Sequence, residues 1–257
     1  MSIPLFALFL AAFAFGTAEF VIAGVLPDVA LGLGVSIPVA GYLVTGYAIG
    51  IAIGGPLLAV ATKKLSRKTL ILLLGTTFTL GQALCALAPS FELLMVARVL
   101  VAVVHGTYFG IAAIVAVNLV PVDKRGFAVA LILSGLTVSN ILGVPGGTAI
   151  GTAFGWRATF WAVGLLGLLA TLAIATFLPA RTGETTTSGS FLREFKALGR
   201  QQIVTSLMIV ILVMIGQYSL FTYIAPLLLE VTRLDPGTLP WVLLVYGVGS
   251  TIGVFIG

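Results

Sequence analysis

An all-α polytopic membrane protein is the fold class this sequence predicts, and three observations predict it. Apolar runs of about 20 residues recur along the chain, the length a helix needs to cross a bilayer core of about 30 Å. Of 257 residues 60% are hydrophobic and only 8% charged, against about 25% charged in a soluble domain. The basic residues gather in short connections between the runs. A membrane β-barrel would instead show short segments of alternating polarity.

Span one is expected at Leu5–Leu26, ended by Pro27 and Asp28, with a loop from Leu31 to Ile37. No Lys or Arg precedes it and it exceeds a signal-peptide core, so it reads as a span. Span two, about Val39–Ala61, leads to the basic loop Lys63, Lys64, Arg67 and Lys68. Span three runs to about Ala88. Span four is about Leu93–Val120, and a loop with Lys124 and Arg125 precedes span five at about Phe127–Phe154. Span six ends at Pro179.

Residues 181–200 read as a cytoplasmic linker followed by a short amphipathic surface helix, since Phe191, Leu192, Phe195 and Leu198 fall at helical spacing. Span seven is expected at about Ile203–Leu229, and an eighth apolar run starts near Leu239. Ten of the 13 basic residues fall on one side, Arg157 and Arg233 on the other, and Arg98 inside a span. By the positive-inside rule the first side, and the N-terminus with it, is cytoplasmic. The pI near 9.6 thus reports topology and not a nucleic-acid partner.

An offset of 199 residues aligns Pro27 with Pro226, Tyr47 with Tyr246, Gly50 with Gly249 and Gly54 with Gly253. This predicts a parallel duplication: a six-helix bundle over 1–180, the linker 181–200, and the start of a second bundle over 201–257. The second copy stops at the equivalent of Leu58, so the chain is expected to be a truncated piece of a two-bundle protein.

Glu19 is the one ionisable side chain within the first apolar run. An acid inside a span costs about 2.5 to 3.5 kcal/mol on insertion scales, so it faces a cavity or a partner. Arg98 lies at matching depth. It is six residues in from Glu92, and Glu19 is seven residues short of Leu26, about 9 and 10 Å by helical rise. The two are expected to share a cavity, in direct contact or through water. His105, seven residues on from Arg98, shares its helical face. It can bind substrate or relay a proton, or be a neutral histidine satisfying a neighbouring backbone group or hydroxyl.

Tyr108, Asn140 and Tyr218 complete the candidate cavity, whose chemistry suits amphipathic drugs, sugars or nucleosides alike. Gly46, Gly50 and Gly54, then Gly143, Gly147 and Gly151, then Gly249, Gly253 and Gly257 form four-residue ladders that let helices pack closely. Pro145 permits a kink in span five. One histidine, one cysteine (Cys85) and no HExxH pair predict no metal site, no cofactor and no disulfide. No nucleophile, base and orienter fall at suggestive spacing, so an enzyme is not expected.

The segments GTAEFVIAGVLPDVA (16–30), YAIGIAIGGPLLA (47–59), ARVLVAVVHGTYFG (97–110) and GLTVSNILGVPGGTAIGTAFGWRATF (135–160) resemble the major facilitator superfamily. The branch they are most similar to is that of bacterial twelve-helix drug:proton antiporters, near arabinose-efflux permeases and chloramphenicol-efflux proteins. The resemblance implies a monomeric exporter of the bacterial inner membrane that moves a drug such as chloramphenicol, a sugar or a nucleoside outward against protons by alternating access. It implies a role for Arg98 and Glu19 in proton coupling. Gly135, Gly143, Pro145 and Gly147 resemble the antiporter motif, and Gly50 and Gly54 join them as packing and gating positions. The basic loop lacks the acid of the family's Gly-x-x-x-Asp-Arg-x-Gly-Arg-Arg pattern. The alternative reading is a non-transporting remnant or assembly partner.

Overall fold

The computed structural model describes residues 2–179 and 201–256. The expected linker, with Arg181, Arg193, Lys196 and Arg200, lies outside the described residues, as does Gly257. Among the described residues every regular element is a helix, and seven helices have the length and apolar content to cross a bilayer. In order they are Ile3–Phe20, Ile37–Ala61, Arg67–Leu87, Phe91–Asn118, Val122–Phe154, Trp156–Phe177 and Gln201–Thr222, which are spans one to seven. An eighth helix is Leu239–Ile256. The chain is thus a six-helix bundle followed by the first two helices of a second.

Serines start three of the helices. The hydroxyls of Ser36, Ser66 and Ser90 each accept from the backbone N–H three residues on, at Val39, Thr69 and Leu93, satisfying donors the first helical turn leaves free. Glycine ends two. Gly34 takes φ 67° and Gly155 φ 86°, a region open to glycine at little cost.

The expected end of span one at Pro27 and Asp28 is not observed. The helix is interrupted earlier, at Val21, where the Gly24 N–H reaches the Val21 carbonyl at 3.0 Å. It then continues as Ile22–Leu33 with Pro27 inside. Proline removes one hydrogen bond of the ladder, a loss that a packed membrane helix tolerates. The true stop is Gly34: its N–H bonds the Leu31 carbonyl and the Val35 N–H bonds the Ala30 carbonyl, a Schellman close. The loop expected from Leu31 to Ile37 shrinks accordingly.

Spans one, three, four, five and six pack into one core around Leu8, Phe15, Phe78, Tyr108 and Ile132. Two of the three glycine ladders lie at its tightest seams, whereas a Cβ on Gly249 or Gly253 of the third would meet nothing within 4 Å. A Cβ on Gly143, Gly147 or Gly151 would meet Thr17, Val21 or Val25 of span one, and one on Gly135 would meet Ala12. Gly50 and Gly54 face Ala102 and Val103 of span four. Both ladders widen into single π-turns, Gly50–Gly54 before Pro56 and Ser139–Gly143 before Pro145, as helices do where a proline disrupts the ladder.

Span two meets span four most closely where Gly55 opposes Gly106, and the Thr107 hydroxyl donates to the Gly55 carbonyl at 2.9 Å. A Cβ on Gly106 would fall 2.8 Å from the Ile51 carbonyl oxygen, whereas one on Gly110, a turn later, meets nothing within 4 Å. Gly106→Ala is therefore expected to lower stability in detergent by about 1 to 3 kcal/mol, and Gly110→Ala to leave it unchanged or raise it. Thermal unfolding of the two variants side by side checks this; equal midpoints contradict it.

Lys63 and Lys64 are exposed in the turn after span two. Lys68 is not: its ammonium donates to the carbonyls of Ala175, at 3.0 Å, and Leu178, a cation on the free acceptors of the span-six C-terminus.

Spans seven and eight join the bundle at the end away from the basic loop. Phe221, Ile224, Ala225, Leu239 and Leu243 pack on Ala23 and Val144, while residues 204–217 of span seven are exposed. That exposed surface is largely apolar.

Candidate functional site

Glu19 stands one residue before the end of the first helix of span one, beside the Val21 interruption. Its carboxylate is met from two other spans. The Tyr218 hydroxyl of span seven donates to Oε1 at 3.1 Å, and His105 Nε2 of span four lies 3.6 Å from Oε2. Tyr218 and Glu19 are 199 residues apart, the offset of the expected internal repeat, so the two positions that offset pairs are in contact.

Arg98 is 1% exposed. Its Nη1 donates to the Ala18 carbonyl at 2.6 Å, and its guanidinium carbon lies 4.3 Å from the centroid of the Tyr47 ring. Nε and Nη2 have no hydrogen-bond partner among the described residues. A buried cation with free donors is held where its field is used or where water reaches it.

Glu19, Tyr47, Arg98, Tyr218, Phe20 and Phe221 line one cavity of about 50 Å³. That is room for roughly three to five waters. Glu19 and Arg98 thus share a cavity without a direct ion pair among the described residues. The arrangement sets a carboxylate between the Tyr218 hydroxyl and the His105 imidazole, with a cation across a small cavity, and a carboxylate so placed can exist with or without its proton.

His105 is not on the cavity wall, where a substrate-binding role had placed it. It lies behind Glu19, among Phe15, Phe109 and Tyr47 at ring distances of 5.5, 5.1 and 5.7 Å. Its Nδ1 lies 2.9 Å from the Tyr47 hydroxyl. Tyr108 is also not a cavity residue. Three positions after His105 it shares the face turned to span one, stacks on Phe15 at 4.6 Å and donates to the Leu8 carbonyl at 2.7 Å, so its polar group is spent on packing.

Asn140 and Tyr218 border a second cavity of about 160 Å³, together with Gln217, Phe221, Tyr246 and Ser250. Its polar groups are all uncharged, and Gln217 Nε2 lies 3.4 Å from the Tyr246 hydroxyl. Tyr218 forms a wall common to both cavities.

Tyr47 is the site residue that sequence reasoning passed over. It had been noticed only as the repeat partner of Tyr246, yet a tyrosine hydroxyl within an apolar span needs a partner, and that signal pointed to a polar neighbour. Among the described residues no group of three or more His, Cys, Asp or Glu side chains is placed to hold a metal.

The chain is 37% identical to the inner membrane transport protein YdhP of Escherichia coli over 254 residues, which is 99% of the chain and 65% of that protein. It is 36% identical to a chloramphenicol resistance protein of Streptomyces lividans, covering 100% of the chain and 66% of the relative. The chain therefore spans about two thirds of the length of the curated relatives it matches. In fold it is similar to an inward-facing bacterial homolog of the human lysosomal transporter Spinster, with TM-score 0.83, 22% identity, and 98% of the chain and 61% of that structure covered. A D-xylose-proton symporter aligns at TM-score 0.73 and 18% identity, covering 95% and 65%. The sequence matches the Major Facilitator Superfamily over residues 8–257, and the chain belongs to that family of membrane transporters.

Proposed function

We propose that these helices serve a proton-coupled exporter of small uncharged molecules, with Glu19 as the proton carrier and Arg98 as the cation that tunes it. The observation that carries the reading is the buried junction of spans one, two, four and seven, where Glu19 meets Tyr218 and His105 beside the Arg98 cavity. The N-terminus is proposed to be cytoplasmic in a bacterial inner membrane, with bundles over 1–180 and 201 onward joined by the linker 181–200. A monomer suffices for alternating access between two such bundles.

Ionised Glu19 accepts from Tyr218, which ties span one to span seven. Once protonated, the carboxyl is a donor as well as an acceptor and the tie weakens, so the charge state biases how the bundles lean. The neutral, partly aromatic cavity beside it suits an uncharged polar solute. Chloramphenicol is the first to try, because one relative carries its name; sugars and nucleosides follow.

Everted membrane vesicles holding the protein, given an inward-acid pH gradient, are expected to accumulate labelled chloramphenicol, a sugar or a nucleoside and to lose it when the gradient is collapsed. Because the chain spans about two thirds of its relatives, transport by these residues alone is part of the proposal. No gradient-dependent uptake of any of the three by a folded, inserted chain favours an assembly-partner role.

The tie between spans one and seven has its own test. Tyr218→Phe keeps the ring but removes the donor, and a hydrogen bond to a charged group contributes about 1.5 to 3 kcal/mol. Spin labels placed at Leu31 and Val231, both well exposed, with Cys85 replaced by alanine, are expected to give a broader distance distribution in this variant. An unchanged distribution removes the tie from the mechanism.

A further inference from the structure

His105 is the single histidine of the chain and is 4% exposed. Its two ring nitrogens meet different partners, Nδ1 the Tyr47 hydroxyl at 2.9 Å and Nε2 the Glu19 carboxylate at 3.6 Å. A neutral imidazole has one N–H and one lone pair, so the two contacts are linked: the nitrogen that holds the proton decides what Glu19 faces.

Tyr47 sets the direction. The Arg98 guanidinium over its ring draws on the ring's electrons, which makes the hydroxyl a better donor and a poorer acceptor. That hydroxyl has no other hydrogen-bond partner among the described residues. Donation from Tyr47 to Nδ1 leaves the imidazole proton on Nε2, turned toward Glu19. The other arrangement would aim a lone pair at the carboxylate and an N–H at a hydroxyl lying under a cation, and both contacts would be unfavourable.

We propose that Tyr47 is a positioning residue that holds His105 in its Nε2–H tautomer, so that Glu19 is faced by donors on both oxygens, Tyr218 on one and His105 on the other. The assignment stands on the Tyr47, His105 and Glu19 geometry; its consequence for transport rests on the proton-carrier reading above. A proton arriving on Oε2 would point at an N–H, donor against donor. Passing it onward would need the imidazole proton moved from Nε2 to Nδ1 and the Tyr47 hydroxyl reversed beneath Arg98. His105 therefore ends the proton path at Glu19 and does not conduct inward, and protonation loosens span one from span four. The charged or titratable groups around the imidazole are Glu19 from span one, Tyr47 from span two and Arg98 from its own helix, with Tyr218 of span seven behind Glu19.

One histidine gives one pair of imidazole nitrogen resonances, so the test needs no assignment. In the protein labelled with 15N-histidine and held in lipid nanodiscs, the expected spectrum has a proton-bearing Nε2 and a lone-pair Nδ1 that accepts a hydrogen bond. Tyr47→Phe keeps the ring beneath Arg98 and is expected to reduce the tautomer preference by about tenfold. A proton on Nδ1 in the unsubstituted protein overturns the proposal, and that measurement stands even if the variant fails to fold. An unchanged spectrum in a folded Tyr47→Phe protein overturns it as well. If the tautomer is as expected but transport proves independent of protons, the proton-carrier reading fails and the tautomer assignment survives.

Discussion

Glu19→Gln is expected to abolish gradient-driven accumulation of substrate while downhill exchange continues. Glutamine has the shape of the acid, and its carbonyl can still accept from Tyr218 at the position now 3.1 Å away. What it cannot do is change charge. With the carrier fixed in one state, the pH gradient has nothing to act on, and accumulation falls at least tenfold, toward equilibration with the outside. Each tenfold corresponds to about 1.4 kcal/mol of lost coupling. Folding changes little, since a neutral amide replaces an acid at a largely buried, partnered position. Purified protein in liposomes separates the two activities: gradient-driven uptake and substrate exchange are measured on the same preparation. Gradient-driven uptake of normal size in the variant removes Glu19 from the role.

Arg98→Met is expected to lose gradient-driven transport by a similar factor without losing the fold. Arg98 makes one hydrogen bond, to the Ala18 carbonyl, and leaves Nε and Nη2 without partners among the described residues. Keeping such a charge inside the bundle costs several kcal/mol that a methionine of similar length does not incur. The variant's thermal midpoint is therefore expected to equal or exceed that of the unsubstituted protein, while the carboxylate loses the cation that shares its cavity. Such an exchange of stability for function is common where a site needs a group the fold would not choose. A variant that fails to fold would make Arg98 a structural residue; one that folds and transports normally would make it dispensable.

The spans were legible because a bilayer fixes the length of an apolar helix, and an acid inside such a run stood out as a position in need of polar neighbours, which Tyr218 and His105 supply. The repeat offset put Tyr218 opposite Glu19 in sequence, and the structure has them in contact. The end of span one was misread, since Pro27 is a strong breaker in water but costs a membrane helix only one bond, and the weaker signal at Gly34 was the true stop.

Lateral neighbours were harder to read. In a soluble helix the polar stripe shows which face is buried, but a membrane span is apolar all round. His105 and Tyr108 lie three residues apart on one face of span four, yet one meets Glu19 and the other the Leu8 carbonyl. Only the packing of span one against span four distinguishes them. Tyr47 reaches the site from span two for the same reason, where Gly50, Gly54 and Gly55 bring that helix close to span four.

The most direct test is proton movement itself. Liposomes containing the protein and an internal pH dye are loaded with chloramphenicol and diluted into substrate-free buffer with no imposed pH gradient. Substrate leaving down its gradient is expected to draw protons inward and acidify the lumen, with no acidification in Glu19→Gln liposomes. Rapid chloramphenicol efflux through the unsubstituted protein at constant internal pH would contradict the coupling assigned to the Glu19, Tyr218 and Arg98 cluster.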